Sequence, residues 1–415
     1  MTHNLSLTEL KARAWPEEGL TRVPYFLYDD PDIYAREQER IFRGRSWNYV
    51  ALAAEVPAKG DFTRSYVGDT PVIVARDKDG DVQVFVNRCP HRGAQLCQSW
   101  SGNTKAFTCP YHQWSFDLKG QLRGVPLRKG VRGLGGMPAT FDPAQHGLHK
   151  LAVVERNGVV FASFAADAPP FEEYLGPSNL AYFERVFDGR KLRVLGKQRQ
   201  RISANWKHVI ENIRDPYHAT LLHTFFVTFR LWRADQDYAM KLDESGSNAI
   251  QFIQKTAAGP TDVTRETTAR HADVRLADPR IVEAVPEFAD GKSGAMQTIW
   301  PNLIVQQTLN SLATRHAVPH GPTEFELHWT FFGYEDDSPA MVERRLRNAN
   351  LYGPAGLVSA DDSEILNVVQ LGSTTSPAAQ AFVELGGSGT GDAEGMVNET
   401  MIRGFYKHYR QIMDL

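Results

Sequence analysis

Two short runs stand out by residue type and spacing: Cys89-Pro-His91 and Cys109-Pro-Tyr-His112. Thiolates and imidazoles so arranged can hold a structural zinc or a two-iron cluster. Structural zinc sites more often pair Cys with Cys two to four residues apart and His with His three to five apart. Here each cysteine shares a loop with a histidine. That suits a [2Fe-2S] cluster with two Cys on one iron and two His on the other, whose neutral imidazoles raise its potential and make it an electron relay. The proline after each cysteine stiffens the loop. From these residues alone zinc stays open as the alternative.

A second group follows, Asp215-Pro-Tyr-His218-Ala-Thr-Leu-Leu-His223. Two histidines and one carboxylate leave open positions on a mononuclear Fe(II). The histidine pair is equally at home as ordinary structural residues. The five-residue spacing separates the two by about 140° on an ideal helix, so both reach one metal only if the helix ends or widens between them. The carboxylate must come from elsewhere, and Asp361-Asp362 is the candidate pair; its plain alternative is to cap a helix over 363–370. Asp215-Pro216 reads as the start of a helix, with Asp as N-cap and Pro at the first position.

The elements that must position these groups are legible in outline. The chain has 415 residues, enough for two or three domains, with 42% hydrophobic and 23% charged residues. Net charge of −3 argues against nucleic acid or an anionic membrane as partner. No apolar stretch is long enough to span a bilayer. The N-terminus lacks the apolar core of a signal peptide, and three cysteines make no disulfide framework, so the expected compartment is the cytoplasm. A helix is expected over 32–42. Short alternating strands then run from about 47 to 164, at 61–67, 71–76, 82–87, 106–108 and 114–116, with turns at Asp79-Gly80 and Lys119-Gly120. This predicts a small antiparallel domain with both Cys/His pairs at strand ends. Beyond it, 205–213 and 399–413 read as helices, 295–300, 303–307 and 324–332 as strands, and 386–395 as a surface loop.

CPHRGAQL and CPYHQW resemble the Rieske motif of aromatic-ring-hydroxylating oxygenases, and the likeness runs from Arg22-Val-Pro-Tyr to Arg403-Gly-Phe-Tyr. Segments such as NIRDPYHATLLHTFF and NLYGPAGLVSADD are similar to the large subunits that act on salicylate, anthranilate and terephthalate. The resemblance implies an α+β chain: an N-terminal segment 1–44 packing on the catalytic domain, a small all-β Rieske [2Fe-2S] domain at 45–166, and a helix-grip catalytic domain with a large antiparallel sheet at 167–415. It implies Cys89, His91, Cys109 and His112 as ligands of one [2Fe-2S] cluster per chain. It implies His218, His223 and Asp362, the second Asp of its pair, as ligands of one mononuclear Fe(II). Asp215 would bridge a cluster histidine of one subunit, His112, to His218 of the next, with N-capping as its plain role; a carboxylate between two imidazoles orients both. The cysteine pair of respiratory Rieske proteins is absent; Ala94 and Tyr111 lie in those loops, and Cys97 reads as a small buried residue. Gln113 stands where many relatives carry Gly or Ala.

The resemblance further implies O2 and an aromatic carboxylate as substrates. Ring hydroxylation of salicylate comes first, then cis-dihydroxylation of anthranilate, terephthalate or another benzoate. A buried carboxylate needs a partner, and the arginine fork suits it. Arg315 and Arg403 are the candidates, against a structural or surface ion-pair role. Gln306, Asn310 and Ser245 are offered as polar contacts, and Phe225, Phe226 and Leu357 as walls, by proximity to the motifs. GLGG at 133–136 lacks the strand–helix context of a dinucleotide site, so electrons would come through a flavin reductase and a ferredoxin. A trimer is expected, either a homotrimer or, with a small β subunit, α3β3. An electron carrier without oxygenase activity is the competing reading.

Overall fold

The structure is a computed structural model that describes residues 14–229, 231–232, 234–253, 273–292 and 294–415. Residues 1–13, on which the reading of the N-terminus leans, lie outside the described residues. The chain divides into two compact units: Phe42–Ala168, and the remainder, which joins the chain up to Ile41 to Pro169–Leu415. Among the described residues no helix is long and apolar enough to cross a membrane.

The smaller unit is all antiparallel. A four-stranded sheet runs in the order Val82–Val86, Thr70–Arg76, Asp61–Val67, Ser101–Asn103, and two three-stranded sheets complete it. One of these, Phe107–Thr108, Ser115–Phe116 and Leu122–Gly124, is the hairpin that carries Cys109 and His112. The central strands bury Val72, Ile73, Val74, Val84 and Phe85 almost completely. That burial gives β-branched and aromatic residues a packed pleated surface.

In the larger unit, β1 (Leu192–Ile202), β2 (Tyr238–Leu242), β3 (Ala249–Ile253), β4 (Gly294–Ile299), β5 (Leu303–Thr308), β6 (Ser311–Pro319), β7 (Phe325–Tyr334) and β8 (Ala393–Glu394) form one antiparallel sheet in the order β1-β7-β6-β5-β4-β3-β2-β8. Helices α1 (Pro31–Glu37), α2 (Phe171–Val186), α3 (Trp206–Ile213), α4 (Thr224–Thr228), α5 (Pro339–Tyr352), α6 (Leu357–Thr374) and α7 (Thr400–Met413) surround it. Side chains alternate across a strand. Gln297 and Gln307 therefore point to α2, donating to Asn179 O and accepting from Arg185. Their neighbours Met296 and Gln306 face the opposite side, toward α3.

That second side is held by buried polar ties. Lys207 on α3 donates to Glu37 on α1 at 2.6 Å, and both side chains are fully buried. Trp206 and Tyr409 donate to the same carboxylate at 2.8 and 2.6 Å. A buried charge pair satisfied this completely is costly to break, because removal of one partner strands the other. It anchors the first turn of α3, and the site begins at the other end of that helix, at Ile213.

Two expectations are corrected. No helix starts at Asp215-Pro216; a single 3₁₀ turn, His218–Thr220, and the short α4 take its place. The helix expected over 363–370 begins at Leu357, with Gly356 as N-cap. Asp361, Asp362 and Ser363 therefore sit inside α6 and cap nothing; the Ser363 hydroxyl donates back to Ser359 O at 2.7 Å.

Candidate metal centres and substrate pocket

The two Cys/His loops are built alike. Cys89 N–H donates to Ala94 O at 2.8 Å and Gly93 N–H to Cys89 O at 2.9 Å; Cys109 N–H donates to Trp114 O at 2.8 Å and Gln113 N–H to Cys109 O at 3.0 Å. The fifth residue of each loop is left-handed, Gly93 at φ +76° and Gln113 at φ +57°. Glycine adopts this freely, whereas a side chain there is strained. Gln113 thus puts a strained side chain where the first loop has glycine. Both cysteines are buried. Burial pushes the Cys89 thiol up; the His91 backbone N–H opposes this, and the neighbouring Cys109 sulfur adds to it. The rings of His91 and His112 lie 4.7 Å apart edge to face, and Trp114 stacks on His91 at 4.8 Å.

Two sulfurs on the buried side and two imidazoles on the outer side suit a two-iron cluster. A tetrahedral zinc, with ligand bonds of about 2.0–2.3 Å, would draw all four donors round one point. Among the described residues the His, Cys, Asp and Glu donors that converge within 4.8 Å are His218, His223 and Asp362 instead. Cys97 sits outside the quartet, its thiol donating to Ser99 O at 3.3 Å.

That converging group is assembled from three elements. Helix α3 stops at Ile213, and Asp215 Oδ1 accepts from Tyr217 N–H at 2.8 Å, fixing the turn. His218 opens the 3₁₀ turn, and His223 immediately precedes α4. The break between them removes the angular conflict of a continuous helix. Asp362 arrives from α6, its Oδ1 3.5 Å from His218 Nε2 and 3.2 Å from His223 Nε2. Each distal ring nitrogen faces another carboxylate: His218 Nδ1 lies 3.4 Å from Asp215, and His223 Nδ1 lies 3.3 Å from Asp361. The first approach falls short of hydrogen-bond geometry, since His218 Nδ1 has no such partner. Burial disfavours charge on His218, but Asp215 and Asp362 outweigh it and push its pKa up to about 10. Burial likewise opposes the Asp362 carboxylate, and the two histidines hold it well below the usual range. A group that carries such charge without a metal can exchange protons for a divalent cation. Two imidazoles and a carboxylate, with further carboxylates behind them, fit the facial triad.

The triad also lines a cavity. Of the sequence candidates for substrate contact, Arg315, Gln306 and Phe226 line it. Arg315 Nε donates to Gln306 Oε1 at 2.6 Å, and its guanidinium lies 4.1 Å from the Trp329 ring. Burial pushes the arginine down to about 10, with Asp362 pulling back.

Five candidates are placed elsewhere. Arg403 binds Gly389 O at 2.8 Å and the carbonyls of Val383 and Leu385, so it fastens the loop before α7. Asn310 is tied to Val285 and Glu287. Ser245 closes a turn on Asp243. Phe225 packs on Phe229, and Leu357 is 58% exposed. The sequence reading passed over Asn212, Trp232, Tyr238, Gln251, Met296, Thr308 and Tyr352, which all line the cavity. Asn212 is the one with a local signal: it closes α3 three residues before Asp215 and donates to Asp362 at 3.1 Å. The others read as ordinary core.

Comparison with known proteins agrees with this geometry. Residues 46–135 match the Rieske [2Fe-2S] domain, and 189–415 match the ring hydroxylating alpha subunit catalytic domain. The chain is 47% identical to the large oxygenase component of salicylate 5-hydroxylase from Ralstonia sp, with 96% of each chain covered. It is 42% identical to the anthranilate 1,2-dioxygenase large subunit of Burkholderia cepacia, covering 96% of this chain and 95% of that one. In fold it is similar to naphthalene 1,2-dioxygenase from Rhodococcus sp., with a TM-score of 0.78 at 24% identity over 98% of each chain.

Proposed function

We propose a substrate and an electron path on one premise: the chain belongs to the ring-hydroxylating oxygenases, as their large (alpha) subunit with its Rieske [2Fe-2S] domain. The reading is a terminal oxygenase that hydroxylates an aromatic carboxylate with O2, salicylate foremost. Its domains are the arm 1–44, the cluster domain 45–166 and the catalytic domain 167–415. Cys89, His91, Cys109 and His112 would hold the cluster, and His218, His223 and Asp362 the mononuclear iron. When bound, these centres supply electron storage and oxygen activation, and the protein supplies geometry and a dry pocket.

The observation that carries the substrate is Arg315. It is 4% exposed, and among the described residues its hydrogen-bond partner is the neutral amide of Gln306. A buried guanidinium without a carboxylate is costly. A substrate carboxylate would supply the missing charge through the arginine fork. Gln306 holds the fork, with its own Nε2 fixed to Thr308 at 2.8 Å. Apolar walls from Phe226, Met296, Tyr352 and Val358 suit a benzene ring.

Asp215, with one oxygen on Tyr217 N–H and the other toward His218, would connect the iron histidine to His112 of a neighbouring copy. The functional unit is then an oligomer, either a homotrimer or α3β3 with a small β subunit, fed by a ferredoxin and a flavin reductase. Anthranilate dihydroxylation is the second reading, carried by the 42% identity to that large subunit. The test is a substrate panel with product identification for the wild type and Arg315→Met. Turnover of salicylate that falls at least about 100-fold in kcat/KM in the variant, as expected for an unpaired buried charge, supports the reading. Equal turnover of benzene and benzoate by the wild type would refute it.

A further inference from the structure

Among the described residues, two cavity side chains outside the triad keep a buried polar atom without a partner. Gln251, 2% exposed, leaves its Oε1 unsatisfied, and Trp232, 4% exposed, leaves its Nε1 unsatisfied. Both residues line the pocket. Buried polar groups are nearly always paired, so two orphans on one cavity call for an occupant. The orientation of Gln251 is decided by its other end, because its Nε2 donates to the carbonyl of Ile213 at the end of α3. Only the amide nitrogen can donate there, so the free atom is an acceptor. Trp232 offers only a donor.

The sheet places Gln251 in the row that leads to Arg315. Gln251 on β3 pairs with Met296 on β4, and Met296 pairs with Gln306 on β5. Directly paired residues point to the same face, so these three make one row, and Arg315 reaches Gln306 from β6. Gln251 therefore lies two strands, about 10 Å of backbone spacing, from the residue that holds Arg315. Trp232 sits over the neighbouring position of β4: a Cβ added at Gly294 would come 3.9 Å from its ring. One end of the row thus offers a cation, and the other an acceptor and a donor.

We infer that Gln251 and Trp232 recognise a hydroxyl on the substrate ring, which makes hydroxybenzoates the preferred class. This rests on the aromatic-carboxylate reading of Arg315. A hydroxyl donates and accepts together, giving its hydrogen to Gln251 and taking one from Trp232. An aromatic amine, its lone pair delocalised into the ring, satisfies Gln251 alone. A second carboxylate would set acceptor against acceptor at the Gln251 oxygen. Sites that hydrogen-bond a substrate group discriminate strongly against analogues that lack it.

The experiment measures Kd by calorimetry and kcat/KM for benzoate, salicylate and anthranilate with the metal-loaded holoenzyme. Relative to benzoate, Gln251→Leu should weaken salicylate and anthranilate about tenfold, equivalent to about 1.4 kcal/mol; its lost bond to the Ile213 carbonyl acts on all three alike. Trp232→Phe should weaken salicylate about tenfold relative to both anthranilate and benzoate. If benzoate falls together with the others in both variants, the two residues only support the fold and the inference is wrong. It is equally wrong if neither variant changes the ratio of salicylate to benzoate. Arg315→Met separates the premise: if that variant binds benzoate as tightly as the wild type does, the carboxylate reading fails, whatever Gln251 and Trp232 do.

Discussion

The two centres are assembled in opposite ways. The Cys/His quartet comes from two loops that repeat one backbone pattern within 24 residues of sequence, and each loop closes on itself through its own amides. The triad joins His218 and His223, on either side of a break in helical structure, to Asp362 on a helix more than a hundred residues later. Local closure makes the first robust to its surroundings. The second depends on α3 and α6 being held together by ties such as Asn212 to Asp362 and the Asn205 N–H to Gln370 Oε1.

Metal content breaks the comparison most sharply. Asp362→Ala should abolish hydroxylation and lower iron from about three to about two per chain, leaving the visible spectrum of the cluster intact. Cys109→Ala should remove the cluster and leave about one iron. Loss of both centres in either variant would mean that they do not assemble independently.

Acid should separate the two units next. His408 on α7 lies edge-on against Trp300 at 4.8 Å, and burial lowers its pKa to about 4. Between that value and the unfolded value near 6.5, the unfolded chain binds a proton that the folded chain refuses. Its contribution is therefore complete above about pH 6.5 and declines as pH falls, by about 1.4 kcal/mol per unit at most. Denaturant unfolding of the catalytic unit between pH 7 and 4 should show a slope of this sign, to which the buried His316 and His328 also contribute, and His408→Phe should reduce it. An unchanged slope in the variant would remove His408 as a cause.

The smallest effect sharpens the likeness of the two loops. Gly93→Ala should cost about 1 kcal/mol, because φ is +76° there and open space does not relieve left-handed strain. Gln113→Gly, at φ +57°, should change stability by less than about 1 kcal/mol, strain relief offsetting lost chain entropy. Thermal melting of both variants checks the pair; a large loss in Gln113→Gly would show that its side chain, rather than its backbone, matters.

The cluster loops were legible in the sequence because they are a matter of neighbours along the chain; the α+β class came through the resemblance, and a break between the histidines stood only as the condition for both to reach one metal. The Asp215 turn was legible only as a stop signal. Asp with Pro announces a helix, but one 3₁₀ turn was all that the path to His223 allowed. Arg403 was indistinguishable from Arg315 in sequence, and packing made one a loop fastener and the other a pocket wall.

By itself, the sequence determined which residue types meet at short range: two thiols and two imidazoles in matching loops, two histidines beside an aspartate, and a paired Asp-Asp. Tertiary structure decided everything that depends on direction. Successive residues of α6 point about 100° apart, so helix packing put Asp362 between the two histidines and Asp361 behind one of them. Strand alternation turned Gln251, Met296 and Gln306 to the cavity and Gln297 and Gln307 away from it. A one-residue step in either element changes the face without altering the composition, and only the packed fold selects the face.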